Sequence, residues 1–105
     1  MTYSEKIKAS KELYNAITAL QDNEVMEVTY GKDFRGNDKT YTIRAYNDHK
    51  DEMSYSIWNG INGMNVGKLS KTSMHCYTYD MMSQRTTYVF PLYEMSTGFT
   101  INNNK

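Results

Sequence analysis

The hydrophobic period of the chain changes once, near Asn23, and that change limits the fold more than any other feature. Before it, Ile7, Leu13, Ala16, Ile17 and Leu20 recur at helical spacing, and Lys8, Lys11, Asn15, Thr18 and Asp22 fall on the opposite side. Thr2 and Glu5 fit a capping box, in which the hydroxyl accepts from an early backbone N–H and the carboxylate reaches back to the cap N–H. Residues 1–23 therefore read as one amphipathic helix that ends near Asn23, with its lysines on a solvated face.

Beyond Asn23 the period is two. Met26, Val28 and Tyr30 share one side of the first run; Tyr41, Ile43 and Ala45 share a side of the next. Met53, Tyr55 and Ile57 follow, then Met74, Cys76 and Thr78, then Tyr88, Phe90 and Leu92. Gly31, Gly36-Asn37-Asp38, the charged segment 48–52 and the segment 81–85 supply the turns. Pro91 cannot donate to a ladder, so the last strand is expected at an edge or at a bulge. The expected fold is α+β: one N-terminal amphipathic helix packed on one face of an antiparallel sheet of about five strands. The expected organisation is a single domain over 1–105, with the helix at 1–23, the sheet at 24–95 and a polar tail at 96–105, frayed at its end.

Composition matters here because Leu, Ile, Val and Phe are scarce, as they are in disordered chains. Disorder also needs high net charge and few aromatics, whereas this chain has 12 basic and 12 acidic residues and 10 Tyr, 3 Phe and 1 Trp. A folded domain with a Tyr- and Met-rich core is the reading, small enough that self-association as a homo-oligomer would supplement it. The charge balance does not call for nucleic acid, a membrane or an acidic substrate. Residues 1–8 lack the apolar core of a signal peptide, and no stretch approaches the roughly 18 apolar residues of a membrane span, so the cytoplasm is the expected compartment.

A single helix covers one face of such a sheet. To the other face the alternation assigns Thr40, Thr42, Arg44, Tyr46, Ser54, Ser56, Trp58, His75, Tyr77, Tyr79 and Tyr93, although a one-residue register shift would exchange the faces. One end gathers Arg44, Tyr46, Trp58, Tyr77 and Tyr79, the residue types of a protein-binding hot spot. The same aromatics also suit cross-strand pairs that only stabilise the sheet. A nucleotide or single-stranded nucleic acid is the alternative ligand, with Lys68 and Arg44 as phosphate contacts. Against it, Lys32, Arg35 and Lys39 are interleaved with Asp33 and Asp38, and no aromatic RNA-recognition pattern is present.

The segment NGINGMNVGKLS (59–70) invites a phosphate-loop reading. A P-loop needs G-x-x-x-x-G-K-[ST] between a strand and a helix; counting back from Gly67-Lys68, the first glycine slot holds Asn62, and the hydroxyl slot holds Leu69. The segment reads instead as an ordered, turn-rich connection beside Trp58, whose Ile61, Met64 and Val66 pack on something.

No catalytic residue, cofactor or resident metal is expected. His49 and His75 have no metal-ligand spacing, and His49 with Asp48, Asp51 and Glu52 reads as a solvated hairpin turn rather than a weak metal site. Cys76 is a lone cysteine that reads as a buried side chain, and His75 beside it points to the other face of the strand. In overall composition, short, polar and rich in Tyr, Met, Asn and Lys, the chain resembles the small early accessory proteins of large lytic tailed phages. That resemblance implies a non-enzymatic host-takeover or anti-defence role in the host cytoplasm, by binding and inhibiting a host or defence protein or by sequestering a signalling nucleotide. It carries over no functional residues. A protein partner bound through the aromatic face is thus the leading expectation.

Overall fold

A computed structural model describes residues 2–47, 52–60, 62–95 and 100–102. Helix α1 spans Tyr3–Thr18 and starts with the expected capping box: Glu5 N–H donates to Thr2 Oγ1, and Thr2 N–H donates to Glu5 Oε1, each at 3.2 Å. The Thr2 contacts hold the Glu5 carboxyl below its ordinary pKa. Ser10, Leu13 and Ile17 are buried, whereas Ile7, expected on the apolar face, is 47% exposed. The helix ends at Thr18, short of Asn23, where Thr18 Oγ1 bonds the Tyr14 carbonyl at 2.9 Å. Leu20 still reaches the core from the loop, and Asn23, at φ 68°, makes the turn into the sheet.

Strands β1 (Val25–Lys32), β2 (Asp38–Asn47), β3 (Met53–Asn59), β4 (Asn62–Leu69), β5 (Ser73–Tyr79) and β6 (Arg85–Pro91) form an antiparallel meander in sequence order. A four-residue helix, α2 (Leu92–Met95), follows β6, and the short strand β7 (Thr100–Asn102) pairs with the outer side of β1. Three expectations need correction. The glycine-rich segment is a strand, β4, and not a connection. Leu92 belongs to α2 and not to the preceding strand. Thr100–Asn102, within the polar tail and outside the expected sheet, pairs as β7.

Two hydrogen bonds fix which groups of β6 face its neighbour. Leu92 N–H donates to Thr72 O at 3.0 Å, and Asp80 N–H donates to Gln84 O at 3.1 Å. In an antiparallel ladder these bonds recur at every second residue, so Thr86, Tyr88 and Phe90 turn their amides toward β5. Arg85, Thr87, Val89 and Pro91 turn theirs outward. The sheet tolerates Pro91 because its missing donor lies on the open side.

The sheet curls. The Phe90 ring of β6 meets Tyr30 of β1 and Tyr41 of β2 at centroid distances of 5.1 and 5.7 Å, in edge-on geometry, although four strands separate β6 from β1 in the meander. Helix α2 contacts both β1 and β6 and packs against α1. The concave face holds the core: Met26, Val28, Ile43, Ala45, Ile57, Met74 and Cys76 from the sheet, with Leu13, Ile17 and Leu20 from the helical side and Leu92 and Met95 from α2. Methionine fills the core as expected. The tyrosines do not; Tyr14, Tyr30, Tyr41 and Tyr55 are partly buried and pack around its rim. Burial pushes the Cys76 thiol up to about 12.

Candidate functional site

The outer, convex face of the sheet carries the aromatic side chains that the alternation assigned to it, apart from Tyr93. Its central row runs Val25, Arg44, Ser56, Asn65, Tyr77, Thr87 from β1 to β6. β4 forms the floor, with Gly63 and Gly67 on either side of Asn65. The benzenoid ring of Trp58, from β3, lies so close to Gly63 that a Cβ there would stand 2.4 Å from its carbons. The Tyr77 ring, from β5, approaches Gly67 within 3.1 Å of where a Cβ would be. Gly60, at φ 64°, makes the turn, while Gly63 and Gly67 are outside the left-handed region. Those two glycines are there for room, not for backbone freedom.

The rings are held as well as seated. Trp58 Nε1 donates to the buried Ser56 Oγ at 2.9 Å, while the indole itself remains 42% exposed. The Arg85 guanidinium lies 4.4 Å from the Tyr77 ring centroid, and Tyr79 meets Tyr77 edge-on at 5.7 Å. Tyr77 is thus fixed between a glycine floor, a cation and a second ring, and Tyr79 is 56% exposed beside it.

Arg44, Tyr46, Trp58, Tyr77 and Tyr79 all lie on this face, but they do not form one cluster. Arg44 Nη2 donates to Asn23 Oδ1 at 2.7 Å, which turns its guanidinium toward the α1–β1 connection. Tyr46 is half-buried opposite Ser54, toward the end of β2. The arginine that joins the aromatics is Arg85, which sequence reasoning placed in a turn; its pairing with Tyr79 across the β5–β6 hairpin is the signal that would have found it. Lys68 lies on the outer face opposite His75, past an irregularity in the β4–β5 ladder, and is exposed. Tyr93, assigned to the outer face, instead sits in α2 with Lys6 Nζ 5.0 Å from its ring centroid.

A second concavity of about 440 Å³ lies at one end of the inner face, lined by Tyr41, Asn59, Asn62, Met64, Thr78 and Tyr88. The alternation had placed Tyr41, Thr78 and Tyr88 on the core side, without showing that the curl would leave them around an opening. This lining offers rings for stacking and amides for hydrogen bonds, and among the described residues it includes no carboxylate, imidazole or thiol. Cys76 is buried in the core, and His75 Nε2 engages Ser73 Oγ at 3.1 Å on the outer side. Among the described residues no group of three or more His, Cys, Asp or Glu side chains is placed to hold a metal ion. Asp48, His49 and Asp51 lie outside the described residues, as does Ile61.

No family model matches the chain, and neither curated proteins nor solved structures give a significant match.

Proposed function

We propose that this chain is a small non-enzymatic interaction protein that docks a protein partner on its outer sheet face, through Trp58, Tyr77, Tyr79 and Arg85. One observation carries the reading: Trp58 and Tyr79 are exposed beside the half-buried Tyr77 ring, and the patch is held in place by glycine floors, a buried hydroxyl and a stacked guanidinium. Side chains already ordered before binding lose little entropy on docking, which is what makes an aromatic patch an effective anchor. Occlusion of a host or defence protein in the cytoplasm, the role implied by the compositional resemblance to phage accessory proteins, is compatible with such a patch and needs no catalytic group. No helix among the described residues is long and apolar enough to cross a membrane. The test is capture of the partner from host lysate by wild type and by Tyr77→Ala with Tyr79→Ala, with circular dichroism to show an intact fold. Retained capture by the folded double variant would remove this face as the site.

A second reading, a nucleotide-sequestering protein, draws on the inner concavity, where Tyr41 and Tyr88 accompany Asn59 and Asn62 in a volume suited to a base. Lys68 and Arg85, with Arg44 bonded to Asn23, are exposed cations on the outer face that would serve a single strand instead. Fluorescence titration against cyclic nucleotides, RNA and DNA at low salt separates the two readings, and absence of binding to all three eliminates both nucleotide forms.

A further inference from the structure

β6 ends the strand order, and β5 is its one ladder partner among the described residues. Its sequence, RTTYVFP, carries a single charge, and every side chain from Arg85 to Val89 is exposed, Tyr88 and Val89 at 47% and 52%. Native sheets blunt a free edge with lysines, inward charges, bulges or a covering element. Among the described residues this edge has only Pro91 at its far end.

We propose that two copies of the chain pair antiparallel along β6, about a two-fold axis at Thr87. The outward amides of β6 complement themselves in this register. Arg85 N–H meets the carbonyl of Val89 of the partner subunit, Thr87 N–H meets that of Thr87 of the partner subunit, and Val89 N–H meets that of Arg85 of the partner subunit. Every outward donor of the exposed segment is satisfied by an outward acceptor of the same segment, and Pro91, which has no donor, lies where the ladder ends. The register also sets Thr86 beside the partner's Tyr88 on the inner side and keeps the two Arg85 side chains at opposite ends, so no like charges face each other. A foreign strand would have to bring its own matching register, whereas a second copy brings it by symmetry. The pairing is isologous and uses β6 on both sides, so it closes at two chains instead of growing into a filament. Trp58 and Tyr79 stay outside the interface, and the dimer presents the outer aromatic patch twice on one side of a continuous sheet.

Sedimentation equilibrium and amide hydrogen exchange on the full chain test this directly. Wild type is expected to reach twice the chain mass as concentration rises, with the Arg85, Thr87 and Val89 amides becoming protected over the same range. Thr87→Pro removes an outward donor and no bond to β5, so it is expected to abolish the dimer while circular dichroism is unchanged. Should the proline variant fail to fold, Thr87→Lys with Val89→Lys sets cations beside the partner's Arg85 and is likewise expected to leave only monomer. Thr86→Val, which alters a side chain on the other face and no outward amide, is expected to remain dimeric. A wild-type monomer at every concentration with fast exchange at those amides overturns the proposal, as does a dimer indifferent to the folded Thr87 variants. Either result would leave the outer aromatic patch to be judged separately by partner capture.

Discussion

Gly63→Ala is the perturbation that most sharply tests why β4 is rich in glycine. In an ordinary strand this exchange is mildly favourable, by about 0.4–1 kcal/mol, because it restricts the unfolded chain. Here the new methyl would stand 2.4 Å from the Trp58 ring carbons, more than about 1 Å inside the ~3.5 Å of ordinary carbon contact. Gly63 is the second residue of β4 and its backbone is paired with Trp58 across the ladder, so the partly exposed ring moves more readily than the paired strand. Displacing it also breaks the Nε1 bond to Ser56, leaving a buried hydroxyl without that partner. Overpacking of this kind costs about 1–3 kcal/mol, and a lost hydrogen bond costs about 1 kcal/mol. The expected net effect is a loss of about 1–3 kcal/mol in urea denaturation followed by circular dichroism. The decisive arm is the same substitution in a Trp58→Ala background. With the ring gone the methyl has room, so Gly63→Ala should become neutral or stabilising, giving a coupling energy above about 1 kcal/mol. Equal cost in both backgrounds would refute the reasoning, since the penalty would then belong to the β4 backbone and not to the seat of Trp58.

Other outcomes follow from the local chemistry. Cys76 is buried with its thiol pushed up from 9.0 to about 12, so Ellman's reagent should react with it only on unfolding. Because its folded pKa is the higher one, its contribution to stability is complete below pH 9.0 and is lost as pH rises toward about 12; Cys76→Ala should flatten that alkaline decline in the urea midpoint. At the acid end, the Thr2 contacts hold Glu5 below its ordinary 4.5, so the capping box stabilises the helix above that pH and weakens as pH falls through the folded value. Thr2→Ala should return the Glu5 titration, read by NMR, toward 4.5 and reduce helical signal at neutral pH.

Much of this fold is legible in the sequence where the determinants are local. The capping box needs only Thr2 and Glu5, and the alternation of Tyr41-Ile43-Ala45 or Met74-Cys76 marks a buried side because strand periodicity is fixed by the backbone. β4 was hidden for a tertiary reason. Its glycines resemble turn residues in isolation, and only the rings of Trp58 and Tyr77 above them show that they are spacers. α2 is too short to show a period, and β7 is a polar segment whose pairing depends on the edge that β1 offers. The composition of the outer face could be read from the alternation, but its internal contacts could not. Arg44 shares a row with Tyr77 yet bonds Asn23, because the α1–β1 connection offers a nearer acceptor. Arg85 joins the rings because hairpin pairing places it opposite Tyr79.

The aromatic patch contains the chain's one tryptophan, which makes its occupancy directly observable. In a ¹⁵N-labelled chain, Trp58 Nε1–H gives a single indole signal that can be followed as the captured partner is titrated in. Docking on the outer face should shift or broaden that signal together with the amides of Gly63, Asn65, Tyr77 and Tyr79, while those of Lys8, Lys11 and Asn15 on α1 stay in place. Changes concentrated on α1, with the Trp58 indole unmoved at saturation, would contradict the assignment of the outer sheet face as the binding surface.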